Sequence, residues 1–330
     1  ASTLQVDGAI TASSTINTLG ISGSKTNFVN SMLISNDAGT GTLNAASNNT
    51  GFGHQVFNVL TEGDGNTAIG ADVLSALTTG DNNTGAGLDV LKANTTGSDN
   101  VAVGTNALAA NTTGEQNTAI GKDAGLAITT GDNNVAVGEQ SLITATTADK
   151  NTALGSRALQ LTTTGANNVA VGCLALTANT TANNNVAVGT NALTASTTGE
   201  NNTAVGNNSL DANTTGGSNT GLGALALSGN TTASNNVAVG RSALQTNSTG
   251  ASNTAIGKDA LLANTTASRN VAVGHDAATA NTTGADNVAV GQNALLANTT
   301  ASDNVGIGHS ALEANTTGAG HTAIGKNTLK

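Results

Sequence analysis

The sequence predicts an all-β fold, a parallel β-solenoid (β-roll) built from coils of 17 residues. The motif Asn-(Thr/Val)-Ala-(Val/Ile)-Gly, with small variations, returns every 17 residues from Asn49 to Asn304 without an insertion. The fifth residue of all 17 units is Gly, which indicates a positive φ or a close backbone approach. The 330 residues include no Pro, Trp or Tyr and only three Phe, which disfavours a compact core with large aromatic side chains.

Columns of equivalent residues, numbered from the first Asn of each unit, predict the shape of one coil. Positions 2 to 5 have the alternation of a short, half-buried strand. Position 9 is Leu in 14 units, and with Ala at positions 8 and 11 it suits a second short strand or a turn facing the same interior. Gly at position 5 and the polar run at positions 15 to 17 supply corners. Coils paired in register about 4.8 Å apart would make a rod about 80 Å long.

Stacking turns each column into a ladder of similar residues. We expect the Asn ladder to hydrogen-bond along the axis and to hold the turn that leads into the strand. We expect the Val/Ile and Leu ladders to be interior. Three coils represent these columns: Asn100, Asn168 and Asn236; Gly104, Gly172 and Gly240; Val103, Val171 and Val239; Leu108, Leu176 and Leu244.

The chain divides into three segments. Residues 1–30 are predicted to form an irregular β linker, which would be stable if interleaved with copies from neighbouring chains. Residues 31–48 are predicted to form a degenerate capping coil, in which Leu33 replaces a small Ala. Phe52 and Phe57 are larger than their column mates, as closure of a terminal coil requires. Residues 49–330 hold 16 full repeats and a partial seventeenth.

Composition argues against several function classes. Only ten Lys and Arg residues and a net charge of −10 disfavour nucleic acid as a partner. No run of about 18 apolar residues occurs, so no membrane insertion is predicted. Four His, one Cys and few charged groups predict that the protein is not an enzyme and has no catalytic residues and no cofactor.

A coil built from Ala, Val and Leu encloses a very thin core. Little apolar surface would be buried per residue in a single rod. Association of several chains along the rod would supply the missing burial, so we predict that the chain binds copies of itself. The residues alone do not fix the number of copies.

The repeats also resemble known fibre families. Asn-Val-Ala-Val-Gly and Asn-Thr-Ala-Ile-Gly resemble the head repeats of trimeric autotransporter adhesins, which form left-handed β-rolls. The spacing of 17 residues with Ala-Leu and Asn-Thr-Thr-Gly is similar to tail fibres of bacteriophages, which often carry a self-cleaving chaperone of the endosialidase type. Both families are homotrimers, so the resemblance implies a left-handed, homotrimeric roll.

The same resemblance implies an extracellular protein or one on the virion surface. We expect the structural shaft of a phage tail fibre that supports attachment to a host-cell receptor or glycan. One alternative is a bacterial surface adhesin or extracellular filament, and another is an ice-binding solenoid. Ice-binding arrays use Thr-x-Thr, whereas adjacent residues such as Thr95 and Thr96 would point to opposite faces of an extended segment.

Metal binding has few candidate residues. Three His share position 6 but lie at least two coils apart, about 10 Å, so one chain would not hold a metal between them; a trimer axis could join three copies of one His. Asp residues at positions 16 and 17 would bind calcium between coils or form an acidic edge that keeps the rod soluble, and we expect the edge. Cys173 is expected to be incidental, and the Asn-Thr-Thr glycosylation pattern is expected to stay unmodified. These His and Asp residues are His54, His275 and His309, and Asp64, Asp81, Asp99 and Asp132.

Overall fold

A computed structural model of the chain describes residues 20–22, 32–35 and 45–329. These residues form a single sheet of 19 strands and contain no helix. The strands are β1 Gly20–Ser22, β2 Met32–Ser35, β3 Thr50–His54, β4 Thr67–Ala71, β5 Thr84–Leu88, β6 Val101–Thr105, β7 Thr118–Ile120, β8 Val135–Val137, β9 Thr152–Leu154, β10 Val169–Val171, β11 Val186–Val188, β12 Thr203–Val205, β13 Thr220–Leu222, β14 Val237–Val239, β15 Thr254–Ile256, β16 Val271–Val273, β17 Val288–Val290, β18 Val305–Ile307 and β19 Thr322–Ile324.

Strands β3 to β19 follow one another in parallel, each in register with the strand one repeat later. Val169 pairs with Val186 and Ala170 pairs with Ala187, a shift of one 17-residue unit. The predicted parallel β-solenoid with 17-residue coils is therefore confirmed. Each coil contributes one strand, and position 9 lies in a turn rather than in a second strand.

The interior of the coil is lined by position 3 rather than position 4. Ala102 is fully buried, whereas Val103 is 40% exposed, and Val171 and Val239 are only half-buried. The expectation that the Val/Ile ladder is interior is wrong. Strand alternation places positions 2 and 4 on the outside, and the narrow interior accepts little more than a methyl group at position 3. A Cβ added to Gly221, which replaces that Ala, would lie 2.6 Å from Ser209 Oγ.

Leu at position 9 supplies the large interior side chain of most coils. Leu108, Leu176 and Leu244 are fully buried. Their φ angles are 51°, 53° and 52°, so the turn directs each Leu inward from a left-handed backbone conformation that such residues seldom adopt. Ala at position 11, expected to be interior, is only half-buried, because the turn directs position 12 inward instead.

Gly at position 5 meets both conditions that its column suggests. Gly104, Gly172 and Gly240 have φ angles of 134°, 134° and 128°. A Cβ on Gly172 would lie 2.6 Å from the carbonyl oxygen of Gly189 in the next coil. Any side chain in this column would therefore clash with the backbone above it.

The N-terminal end of the solenoid starts with a short rung. In β2, Leu33 pairs in parallel with Gly51 of β3 and is 1% exposed, while β1 runs antiparallel to β2. Phe57 is fully buried, but Phe52 is 56% exposed, so only Phe57 fills the first coil. The rest of the predicted linker, and residues 31 and 36–44 of the predicted capping coil, lie outside the described residues.

Candidate functional site

Asn at position 1 ties each coil to its neighbours from inside the rod. The Asn168 side chain is fully buried. Its Oδ1 accepts the backbone N–H of Asn185 at 3.0 Å, and its Nδ2 donates to the Ala182 carbonyl at 2.9 Å and to Asn151 Oδ1 at 3.1 Å. Asn100 and Asn236 make the equivalent backbone contacts. These bonds give the column a structural role.

A second Asn column, at position 12, was not predicted from the sequence. Asn230 is fully buried, and its Nδ2 donates to the Ala233 carbonyl at 3.0 Å and to Asn213 Oδ1 at 2.9 Å. This Asn begins the Asn-Thr-Thr pattern, and burial leaves no room for a glycan on it in the folded rod. The signal was the replacement of this Asn by Leu60, Leu77 and Ile128 in other coils.

The two adjacent Thr residues of each coil have different surroundings. Thr95 at position 13 is half-buried, and its hydroxyl donates to the Thr112 carbonyl in the next coil at 3.1 Å. Thr96 at position 14 is exposed. The Thr-Thr motif therefore presents one exposed row of Thr side chains.

Carboxylates at position 16 accept hydrogen bonds from the backbone of the preceding coil. Asp81 Oδ1 accepts the Asp64 N–H at 2.7 Å, and Asp132 Oδ1 accepts the Glu115 N–H at 2.8 Å. Ser268 Oγ has the same role toward the Ala251 N–H at 3.0 Å. The role therefore requires a hydrogen-bond acceptor and no charge.

The remaining candidate metal ligands are spread along the outside of the rod. Asp64 Oδ1 accepts the Ser47 N–H at 2.6 Å, and Asp99 Oδ1 accepts Asn82 Nδ2 at 3.2 Å. The described residues include no group of three or more His, Cys, Asp or Glu that could hold a metal ion. The position 6 side chains with candidate chemistry are all exposed: His54, Cys173, His275 and His309.

The outward side of the sheet is the longest apolar surface of the described rod. We define the outer strand face as positions 2 and 4 of the coils from Thr50 to Ile324. Position 2 is always Thr or Val, and position 4 is always apolar, so no charged residue occurs on it. Ile69, Ile120 and Ile256 are 46%, 42% and 41% exposed on this face.

The outer strand face is large enough for stable protein association. Seventeen coils about 4.8 Å apart, with a width of about 10 Å, give roughly 800 Å². That area matches one partner's share of a standard protein interface. Contiguous apolar patches of this size on a protein surface mark interaction sites.

Comparisons with known proteins identify no relative. No protein-family model matches the chain, and no curated protein is significantly similar to it. A search of the described residues finds no helix with the length and apolar character needed to cross a membrane.

Proposed function

We propose that the chain is the non-catalytic shaft of a homotrimeric virion fibre that supports host-cell attachment. The observation that carries this proposal is the outer strand face, a charge-free apolar stripe that follows every coil from β3 to β19. The repeat resemblance to phage tail fibres supports the trimer and the location.

The thin interior explains why copies would associate. Most coils bury one Leu and small residues, as at Ala102, Ala107 and Leu108, while Val or Ile at position 4 stays partly exposed. Packing three outer strand faces together buries this second apolar layer and stabilises the rod by about 25 cal/mol for each Å² of apolar surface removed from water. Each copy repeats at the same spacing, so the contact continues along the whole length.

Light scattering coupled to size-exclusion chromatography tests the assembly, before and after mild heating in detergent. We expect a mass near three times 31.8 kDa that survives the detergent. A mass of 31.8 kDa in native buffer would overturn the trimer and direct attention to thermal hysteresis, the property of an ice-binding solenoid.

A pair of triple variants tests which surface holds the copies together. Placing Lys on the outer strand face should give monomers, because three charges would lose their hydration in an apolar contact. Placing Lys on the exposed Thr row at similar heights should leave the trimer intact. The two variants are V137K/V171K/V205K and T130K/T164K/T198K.

Location requires a separate measurement. An antibody against the chain, visualised by gold labelling in electron microscopy, should bind filaments that project from virions. Labelling of a bacterial cell surface without virions would replace the virion fibre by the surface adhesin or extracellular filament.

A further inference from the structure

Positions 2 and 4 of the outer strand face compensate each other in size. Val at position 2 occurs with Val at position 4 in seven coils, as in Val169 and Val171. Thr at position 2 occurs with Ile or Leu at position 4 in six coils, as in Thr118 and Ile120. Both arrangements present six side-chain carbons per coil, because Thr has one carbon fewer than Val, and Ile and Leu have one more.

One of the four exceptional coils repeats the compensation in another way. The small Ala86 at position 4 is followed by Leu88 at position 6. Strand β5 extends to Leu88, so alternation places both side chains on the outer strand face. Leu88 is 46% exposed there, and it supplies the apolar carbons that Ala86 lacks. The other three coils carry Thr50 with Phe52, Thr203 with Val205, and Val305 with Ile307.

The compensation requires a surface that contacts both positions. Residues two apart along a strand are separated by about 6.6 Å, beyond the roughly 4 Å of an apolar contact between their backbone attachment points. Side chains that only meet water have no reason to conserve their combined volume. A close-packed contact does impose this, because adding or removing one methylene there is destabilising.

We propose that position 2 of one copy packs against position 4 of the next copy at the same coil level. This inference rests on the proposed homotrimer. Rotational symmetry then repeats the contact three times in each layer. Where position 2 is Thr, the longer Ile or Leu of the neighbour fills the space, so Thr118 of one copy meets Ile120 of the next.

The pairing also fixes the axial register of the copies. With coils at the same level, each Thr faces an Ile or Leu and each Val faces a Val. A stagger of one coil would place Ile120 against Val101 or Val135 and overpack the contact. The repeat alone would permit such slips, and the variation between coils selects against them.

Substitutions in two neighbouring Val/Val coils test the pairing. V171I/V188I adds carbons at position 4, and V169T/V186T removes them at position 2. Each double variant should lower the midpoint of thermal trimer dissociation by at least about 3 °C. The quadruple variant V169T/V171I/V186T/V188I should recover most of the loss, and the reverse change T118V/I120V should leave the midpoint within about 1 °C.

The same four substitutions in the V137K/V171K/V205K background would normally overlap at Val171, so the control uses V137K/V205K/V239K instead. In that monomeric chain the effects of the position 2 and position 4 changes on unfolding should simply add. Recovery in the monomer, or additive losses in an intact trimer, would overturn the pairing while leaving the fibre shaft in place. A parent chain that is monomeric would instead overturn the proposed function.

Discussion

The two Asn columns occupy the same interior but differ in what they tolerate. Position 1 is Asn in all 16 full repeats, whereas position 12 also holds Leu60, Leu77, Ile128 and Ala145. The residue type and the burial are the same, so neither explains the difference. The difference lies in the backbone groups that depend on each side chain.

The position 1 amide is needed by the backbone, and the position 12 amide is partly redundant. The Gly97 carbonyl accepts from both Asn83 Nδ2 and Asn94 Nδ2 at 2.9 Å, so it keeps one donor when position 12 is apolar. The backbone N–H of Asn100 instead relies on Asn83 Oδ1 at 3.1 Å. A buried side chain is therefore replaceable when no backbone group loses its last partner.

The largest effect is expected in a column that has no side chain at all. Gly172→Val should prevent local stacking and assembly, because the added side chain meets the Gly189 carbonyl and the backbone φ is 134°, a strained conformation for Val. Loss of the oligomer in light scattering and loss of the β signal in circular dichroism would show this. Unchanged melting and assembly would contradict the stacking described here.

A matched pair of Asn variants tests the comparison directly. Asn117→Ala should cost about 2–5 kcal/mol of unfolding free energy, because two buried groups lose their partners. These are the Asn134 N–H, which donates to Asn117 Oδ1 at 2.9 Å, and the Gly131 carbonyl, which accepts from Asn117 Nδ2 at 2.8 Å. Ile128 provides no second donor in this coil.

The control for that variant is Asn230→Ala in the other column. It should cost about 1 kcal/mol, since no backbone N–H relies on it and the Ala233 carbonyl keeps Asn219 Nδ2. Denaturant unfolding of both variants measures the difference. Equal losses would mean that backbone dependence does not explain the tolerance of position 12.

The carbonyl shared by both columns belongs to position 15, where Gly and Ala follow a rule. Each of the five Ala residues lies between coils that have Gly at this position. A Cβ on Gly250 would press on the Ala267 carbonyl oxygen, so Gly250→Ala should cost about 1–3 kcal/mol through overpacking. Ala267→Gly, the control, should cost less in the same unfolding measurement. The reverse order would contradict the packing rule.

The smallest effect is expected at a buried atom that has no hydrogen-bond partner. Asp211 Oδ1 is such an atom, and burial raises the pKa of this carboxyl above its usual 3.8. Ionisation therefore favours the unfolded chain, so Asp211→Asn should raise the Tm slightly at pH 7 and have little effect at a pH low enough to protonate both states.

The opposite sign is expected for Asp286, which provides the control. Hydrogen bonding to Arg269 lowers the pKa of the Asp286 carboxyl, and its oxygens lie 2.6 and 2.7 Å from the guanidinium. Asp286→Asn should therefore lower the Tm slightly at pH 7, with less effect as the pH falls through the folded-state pKa. Equal shifts for both variants would show that the two local environments do not control stability.

Sequence reasoning predicted the period and the stacking because both follow from the repeat itself. It misjudged which residues face inward, since it assigned the larger Val103 to the interior and the smaller Ala102 no role there. Interior volume depends on the sharpness of the turns, which the pattern of apolar residues does not contain. Asn230 was missed because polar residues are ordinarily outside, although Leu and Ile in the same column indicated an interior site.

The constant coil has a consequence for reach. Removing 17 residues would take out one rung and shorten the rod by about 4.8 Å, while the cut ends would regain the same neighbours. Removing 16 or 18 would set Asn, Gly and Leu against the wrong partners along every later rung. The chain therefore works as a ruler whose length changes only in whole steps, and gain or loss of repeats would adjust its span without redesigning its cross-section.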